Sequence, residues 1–216
     1  MDRERYQPWV FYYPSALRLG LLGDYLNLAI ARLHARHRPE RVFIVAHSMG
    51  GLVAWSAVRA HQAKTPEPYV ALLVTMASPL GGMGGASAGV DHAPVVMPCW
   101  IDLDPRSDFL AQLYNRPLPD SLGYALLHAS EEPPPEDALT SPRDYAEVLD
   151  GFGDGTVKLT SQLHVPAVAR ADTRYGFVTT HMGVLRDASS LATLNGLLDK
   201  HTAAAARPGE PARPGD

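Results

Sequence analysis

The sequence has very little cysteine and no cluster of basic residues. Cys99 is the only cysteine among 216 residues, so the chain cannot form an internal disulfide or a zinc site built on several cysteines. The 19 lysine and arginine residues are outnumbered by 23 aspartate and glutamate residues, and the net charge at pH 7 is -4. Because nucleic-acid-binding proteins concentrate positive charge on one surface, we do not expect nucleic acid as a partner.

The sequence also lacks long apolar runs. No stretch reaches the roughly 18 consecutive apolar residues that are typical of a membrane-spanning helix. The first residues, MDRERYQPW, are charged where a secretory signal has an apolar core. We therefore predict a protein without a membrane span and, unless a further upstream segment directs it elsewhere, a cytoplasmic one.

The composition is that of a chain that can fill one sizeable core. Hydrophobic residues make up 46% of the sequence, and this length favours one domain over two. We predict a single globular domain over residues 1–202. Residues 203–216 contain three prolines and two glycines without any periodicity, so we predict a disordered tail there.

Strand and helix patterns alternate in the first part of the chain. Aromatic and β-branched residues predict a buried strand over residues 9–15, and apolar residues at three- and four-residue spacing predict a helix over 21–37. A strand over 42–46, a helix over 52–64 and a strand over 69–76 follow. Near-continuous apolar strands that alternate with helices predict an α/β protein with a mostly parallel sheet and helices on both faces.

The second part of the chain is less regular. The sequence predicts a Gly-rich loop over residues 79–89 and a helix that starts at Asp104, which Pro105 follows. A strand over 122–128, a last strand over 168–180 and a final helix over 187–200 complete the predicted elements.

The stretch VFIVAHSMGG, residues 42–51, places Ser48 where a buried strand passes into a helix. A sharp turn there lifts the serine hydroxyl clear of the sheet and towards the helix N-terminus, whose N–H groups stabilise negative charge. Such a turn strains the serine backbone and needs small neighbours, which Ala46, Gly50 and Gly51 provide. The pattern indicates a nucleophilic serine. The alternative is an ordinary turn in which Ser48 caps the helix.

Longer segments around this serine are similar to a known superfamily. VFIVAHSMGGLVAW resembles the nucleophile elbow of the α/β-hydrolase superfamily, in the lipase and esterase branch that includes lecithin:cholesterol acyltransferase and the inositol deacylases. Further segments resemble that branch, and together they extend over about residues 9–200: FYYPS, ASPLGG, GDGTVKLTSQL and HMGVLRD. The resemblance implies an α/β-hydrolase fold and hydrolysis of carboxylic or lipid esters. It implies neither a metal nor an organic cofactor.

The chain also offers an acid and a base for the serine. In this fold the acid precedes the base along the chain, and Asp154 in GDGTV and His181 in VTTHMGV match the family's acid and base segments. Asp154 could instead be a turn residue that bonds its own backbone. Other residues stay open for the same roles: Asp102, Asp150 and Asp172 for the acid, and His128 and His164 for the base. We expect the His47 side chain to point away from the reaction centre.

An acyl-transfer site also needs N–H donors for the oxyanion. The resemblance implies that the backbone N–H of Met49 is one donor and that the second comes from a loop after an earlier strand. The residues before Trp9 are too few and too polar to form that strand. Three explanations stay open: further strands upstream, a catalytically impaired chain, or a substitute donor within Gly81 to Gly85. We favour the first, since the predicted sheet would otherwise begin with an unpartnered strand.

Residues 83–121 form a long connection that we interpret as a lid-like insertion over the site. Four of its apolar residues are predicted to bind substrate: Trp100, Phe109, Leu110 and Leu113. The alternative is that these residues pack on the edge of the sheet.

The leading hypothesis is a serine hydrolase that acts on a small-molecule or lipid ester through an acyl-enzyme intermediate. Ser48 attacks the acyl carbon, His181 accepts and returns the proton, and Asp154 orients His181. One alternative is an acyltransferase of the same fold. The other is a non-catalytic lipid-binding or interaction module, which the missing oxyanion loop favours. The sequence does not define an oligomeric state.

Overall fold

The computed structural model describes residues 2–65, 69–135 and 146–203. Within these residues, parallel strands form one sheet in the order β1-β2-β3-β4. The strands are β1 (Val42–His47), β2 (Val70–Met76), β3 (Gly123–Ser130) and β4 (Thr173–Val178). The predicted strands at 42–46, 69–76 and 122–128 are confirmed, with small differences at their ends.

Helices alternate with these strands. In chain order they are α1 (Leu19–His37), α2 (Gly50–Lys64), α3 (Gly84–His92), α4 (Pro98–Leu103), α5 (Asp108–Tyr114), α6 (Ala146–Asp150), α7 (Leu159–Gln162), α8 (Val165–Arg170) and α9 (Ala188–Ala203). A short 3-10 helix, Gly183–Leu185, precedes α9. The helices predicted over 21–37, 52–64 and 187–200 correspond to α1, α2 and α9.

Apolar side chains cover both faces of the sheet. On one face, residues of α1 and α2 join Leu73 and Leu126 in the larger core cluster. On the other face, Leu197 of α9 joins Leu72 and Leu127 in a second cluster. Neighbouring residues of a strand point to opposite faces, so Leu72 and Leu73 serve different clusters. The predicted parallel sheet with helices on both faces is confirmed.

The predicted strand at residues 9–15 is wrong. Val10 and Tyr12 are 91% and 92% exposed, and no strand precedes α1 in the part of the chain that the structure describes. A strand needs a hydrogen-bonded neighbour, but a groove of about 810 Å³ lies between this segment and β1. Aromatic and β-branched residues favour a strand without supplying that neighbour. Within the described residues β1 is therefore an edge strand, and its Val45 is 40% exposed.

The connection between β2 and β3 is more helical than predicted. The sequence predicts a loop over residues 79–89, but α3 begins at Gly84, and α4 was not predicted. The helix expected from Asp104 begins at Asp108, because the Ser107 hydroxyl caps it by accepting a 3.2 Å hydrogen bond from the N–H of Leu110.

The ends of the last elements also differ from the prediction. The strand predicted over 168–180 is shorter, because α8 takes its first residues and β4 covers only Thr173–Val178. Helix α9 extends to Ala203, and the rest of the predicted tail, residues 204–216, lies outside the described residues. Among the residues described, no helix is both long enough and apolar enough to cross a membrane.

Candidate active site

Ser48 lies at a strained turn between β1 and α2. Its φ angle is 54°, in the left-handed region that non-glycine residues rarely adopt. The N–H of Ser48 still bonds to the carbonyl oxygen of Met76 on β2, so the chain leaves the sheet at this residue and enters the helix two residues later. The predicted strain at Ser48 is therefore present in the structure.

The crowding at this turn falls on Gly51 and not on Gly50. A Cβ atom on Gly51 would overlap the Ser78 side chain, with 2.6 Å to Ser78 Cβ. A Cβ atom on Gly50 would lie 3.6 Å from the hydroxyl of Tyr13, which is an ordinary contact. Of the small residues that the sequence analysis named here, Gly51 is crowded by Ser78 and Thr75, whereas Gly50 is not under this constraint.

The structure brings Ser48, His181 and Asp154 together, joined by two consecutive hydrogen bonds. His181 Nε2 lies 2.9 Å from Ser48 Oγ, and His181 Nδ1 lies 2.7 Å from Asp154 Oδ2. Ser48 follows β1 and His181 follows β4, while Asp154 lies in the connection between β3 and β4. The carboxyl ends of parallel strands share one edge of the sheet, which explains how residues so distant in sequence meet.

The Asp154 carboxylate is fully buried and its second oxygen is bonded to its own turn. Oδ1 accepts hydrogen bonds from the N–H groups of Thr156 and Val157, at 3.0 and 2.7 Å. Oδ2 faces His181 and also accepts a 3.2 Å hydrogen bond from Gln162 Nε2. The turn-residue interpretation of Asp154 and the acid interpretation are thus compatible, because the two oxygens make different contacts.

Gln162 is a site residue that the sequence analysis missed. Its buried side chain amide accepts from the N–H of Ala129 and donates to the carbonyl oxygen of the same residue, both at 2.9 Å. It also contacts Asp154 and the carbonyl oxygen of Val157. Gln162 therefore links the acid-bearing turn to β3. The segment GDGTVKLTSQL contains it, but no spacing rule distinguishes it there from an exposed helical glutamine.

The expected orientation of His47 is wrong. Its Nε2 lies 2.8 Å from the backbone oxygen of His181, and the two rings have centroids 4.5 Å apart. Burial lowers the pKa of His47 below its ordinary value of 6.5. His47 contacts the reaction centre because the loop after β4 brings the backbone of His181 to the end of β1.

The other candidate acids and bases have different partners. Asp102 binds Arg18 and the N–H of Leu19, Asp150 pairs with Lys158, and Asp172 accepts from the N–H of Tyr124. His128 is buried beside Gly176, and His164 packs on the ring of Tyr114. None of these contacts joins Ser48, so the geometry favours Asp154 and His181 over the alternatives.

The predicted oxyanion donors differ in their availability. None of the hydrogen bonds among the described residues uses the N–H of Met49. The N–H groups of Gly81, Gly82 and Met83 donate to the carbonyl oxygens of Ser161, Pro79 and Leu103. The first part of the Gly81 to Gly85 segment therefore has no free N–H for a substitute donor.

The four predicted substrate-binding residues lie in or against the core. Leu110 and Leu113 are 5% and 3% exposed and belong to the larger core cluster, and Trp100 and Phe109 pack against it. The structure does not bring these side chains to Ser48 in any described contact, and their substrate role stays a prediction. So does the lid-like role of residues 83–121.

The chain is similar to known proteins in part of its sequence and in its fold. Residues 16–84, less than half of the chain, match the family model of the PGAP1-like alpha/beta domain. Among curated proteins no significant match is found.

Several solved structures share the fold. A lipase from Bacillus licheniformis, BlEst2 in its mature form, is 19% identical with a TM-score of 0.60, over 84% of this chain and 75% of that one. The product of gene lin2722 from Listeria innocua is 16% identical, with a TM-score of 0.56 over 85% and 67% of the two chains. The metagenomic carboxyl esterase MGS0156 is 19% identical, with a TM-score of 0.53 over 78% and 52%. The chain thus has the fold of the α/β-hydrolase superfamily, as the resemblance implied, and the solved structures that it matches include proteins named lipase and carboxyl esterase.

Proposed function

We propose that this chain is a serine hydrolase that cleaves carboxylic esters through an acyl-enzyme intermediate. The observation that carries the proposal is a pair of hydrogen bonds. Ser48 Oγ lies 2.9 Å from His181 Nε2, and His181 Nδ1 lies 2.7 Å from Oδ2 of the buried Asp154. A serine hydroxyl is a weak nucleophile until a base accepts its proton, and that base needs a partner that fixes its tautomer. Both requirements are met by contacts within the protein.

The mechanism follows from these contacts. With Asp154 accepting a hydrogen bond from the Nδ1–H group of His181, the lone pair of Nε2 faces the Ser48 hydroxyl. Ser48 Oγ forms a bond to the acyl carbon while His181 takes the hydroxyl proton. His181 then returns that proton to the departing alcohol. Water next attacks the acyl-enzyme with His181 again as base, and the acid leaves with Ser48 restored.

The developing oxyanion is stabilised at the start of α2. The N–H of Met49, which no acceptor within the described residues engages, is the donor we assign to it. Loss of one such donor typically lowers turnover by about 10² to 10³. The second donor of related enzymes is assigned to no residue here.

The substrate class is assigned from two kinds of support. Structural neighbours that carry the names lipase and carboxyl esterase support ester hydrolysis in general. The site itself contains a serine, an imidazole and a carboxylate, which together suffice for acyl transfer without a metal or organic cofactor. We therefore assign small-molecule or lipid carboxylic esters as substrates.

The test is hydrolysis of p-nitrophenyl esters with acyl chains from acetate to palmitate. We expect turnover by the wild type, and a loss of about 10³-fold or more in kcat/KM for Ser48→Ala. Ser121→Ala, at an exposed position, is the matched control and should retain wild-type rates. Turnover that survives in Ser48→Ala, or lipid binding without any ester turnover in the wild type, would contradict the proposal. The second result would identify a non-catalytic binding module.

The same assay separates hydrolysis from acyl transfer. Hydrolysis predicts that the free acid remains the main product when an alcohol such as glycerol is added. A new ester as the main product, detected by mass spectrometry, would assign the chain as an acyltransferase with the same nucleophile.

A further inference from the structure

We infer that His47 is a positioning residue, which holds the backbone of His181 so that its imidazole stays within reach of Ser48. The inference rests on the proposed function for its catalytic consequence. The contact that carries it, His47 Nε2 to the carbonyl oxygen of His181 at 2.8 Å, is independent of that function.

The position of His181 in the fold explains why it needs such a contact. β1 and β4 are the two opposite edges of the sheet in the described residues, so their ends are about 14 Å apart at roughly 4.8 Å per strand spacing. Ser48 directly follows β1, and His181 lies three residues after β4. The loop that carries His181 must therefore cross the ends of β2 and β3 to meet Ser48.

The backbone of His181 is held at both of its polar groups. Its N–H donates to the carbonyl oxygen of Asp154 at 2.7 Å, and its carbonyl oxygen accepts from His47. One hydrogen bond thus comes from the acid residue and the other from the residue next to the nucleophile. Since His47 and Ser48 are neighbours in the chain, the His47 bond sets the position of the base relative to the serine directly.

The chemistry of the contact fixes the tautomer of His47. A carbonyl oxygen only accepts hydrogen bonds, so Nε2 of His47 must carry the hydrogen. Burial lowers the pKa of His47, so the ring is neutral at pH 7 and its Nδ1 carries no hydrogen. A phenylalanine at this position keeps the ring shape and loses the donor, and a glutamine keeps a donor near the place of Nε2.

The kinetic test compares these two variants with the wild type. We expect His47→Phe to lower kcat for ester hydrolysis about tenfold with little change in KM, and His47→Gln to restore most of it. His164→Phe is the matched control, because His164 also packs on an aromatic ring and has no contact with Ser48 or His181. It should behave as the wild type. A His47→Phe enzyme with wild-type kcat would overturn the inference, and so would a loss that His47→Gln shares in full.

A second measurement does not depend on activity or on the folding of a variant. In histidine-labelled wild-type protein at neutral pH, nitrogen NMR shifts distinguish the two neutral tautomers. The inference predicts the Nε2–H form for His47, with the proton protected from exchange, and the Nδ1–H form would overturn it. If the wild type has no ester turnover but His47 is in the Nε2–H form, the proposed function fails while the contact itself stands.

Discussion

At the scale of single residues, the turn at Ser48 is held in place by its neighbours. A non-glycine residue with positive φ costs about 1 to 3 kcal/mol, and Ser48 adopts φ 54°. Three residues further on, at Gly51, α2 lies so close to the segment around the end of β2 that any side chain would meet Ser78. Gly51 therefore maintains the geometry that exposes the serine hydroxyl.

Gly51→Ala should make the protein less stable, because it places a side chain at this crowded position. We expect the free energy of unfolding to fall by about 1 to 3 kcal/mol, because the added methyl group overlaps Ser78 and forces the helix or strand to move. Gly50→Ala is the control, since a Cβ there meets only Tyr13 at 3.6 Å. Urea unfolding measures both. Equal stability of the two variants would show that Gly51 is not the crowded position.

The sequence predicted which three side chains should meet, and their catalytic roles stay a prediction. Ser48, Asp154 and His181 stand in distinctive segments in the order that the fold requires, and the structure brings them together. The directions of His47 and Gln162 could not be predicted. Their partners, the backbones of His181 and Ala129, are distant in sequence, and side-chain direction depends on which distant backbone passes nearby.

At the scale of elements, the start of α1 depends on a carboxylate from the connection between β2 and β3. Asp102 is 1% exposed, and its Oδ2 accepts from the N–H of Leu19 at 2.6 Å. Its Oδ1 pairs with Arg18 at 2.6 Å. The first N–H groups of a helix lack acceptors within the helix. Asp102 provides an acceptor for one of them, and this hydrogen bond connects α4 to the start of α1.

Asp102→Ala should destabilise the fold without removing reactive groups. We expect a loss of about 1 to 3 kcal/mol, because the N–H of Leu19 is left buried without an acceptor. Asp120→Ala, at an exposed position, should change stability very little. Thermal unfolding distinguishes the two. A wild-type melting temperature for Asp102→Ala would show that water or another group caps the helix.

Helices and strands were predicted well where apolar periodicity is strong. They were predicted poorly where their formation depends on contact with another part of the chain. α1, α2 and α9 were predicted from local sequence, α1 from apolar residues at three- and four-residue spacing. Residues 9–15 have strand composition but no strand beside them in the described structure, and α3 forms in a stretch whose glycines favour a loop prediction. Neither outcome can be read from local sequence, because pairing and packing are tertiary.

At the scale of the whole molecule, buried histidines make stability depend on pH. Burial lowers the pKa of His128 from 6.5 to about 4. In the unfolded chain this histidine keeps its ordinary pKa, so as the pH falls from 6.5 to 4 the unfolded state takes up a proton that the folded state does not. Stability from this group is complete above pH 6.5 and is lost towards pH 4.

His128→Leu should flatten that part of the stability curve. The wild type is expected to lose about 3 kcal/mol more than the variant between pH 6.5 and 4, at 1.36 kcal/mol per pKa unit. His92→Leu, at an exposed position on α3, should keep the wild-type slope. Chemical unfolding at several pH values gives the slopes. Parallel curves for the wild type and His128→Leu would contradict the assignment.

The central claim is that Ser48, His181 and Asp154 act as one nucleophilic unit, and covalent labelling tests it most directly. The protein is incubated with a fluorophosphonate, and the adduct is located by intact mass and peptide mapping. We predict one adduct per chain on Ser48, with labelling slowed strongly in His181→Ala and Asp154→Ala. A folded wild-type protein that stays unlabelled, or that carries the adduct on another residue, would contradict the account.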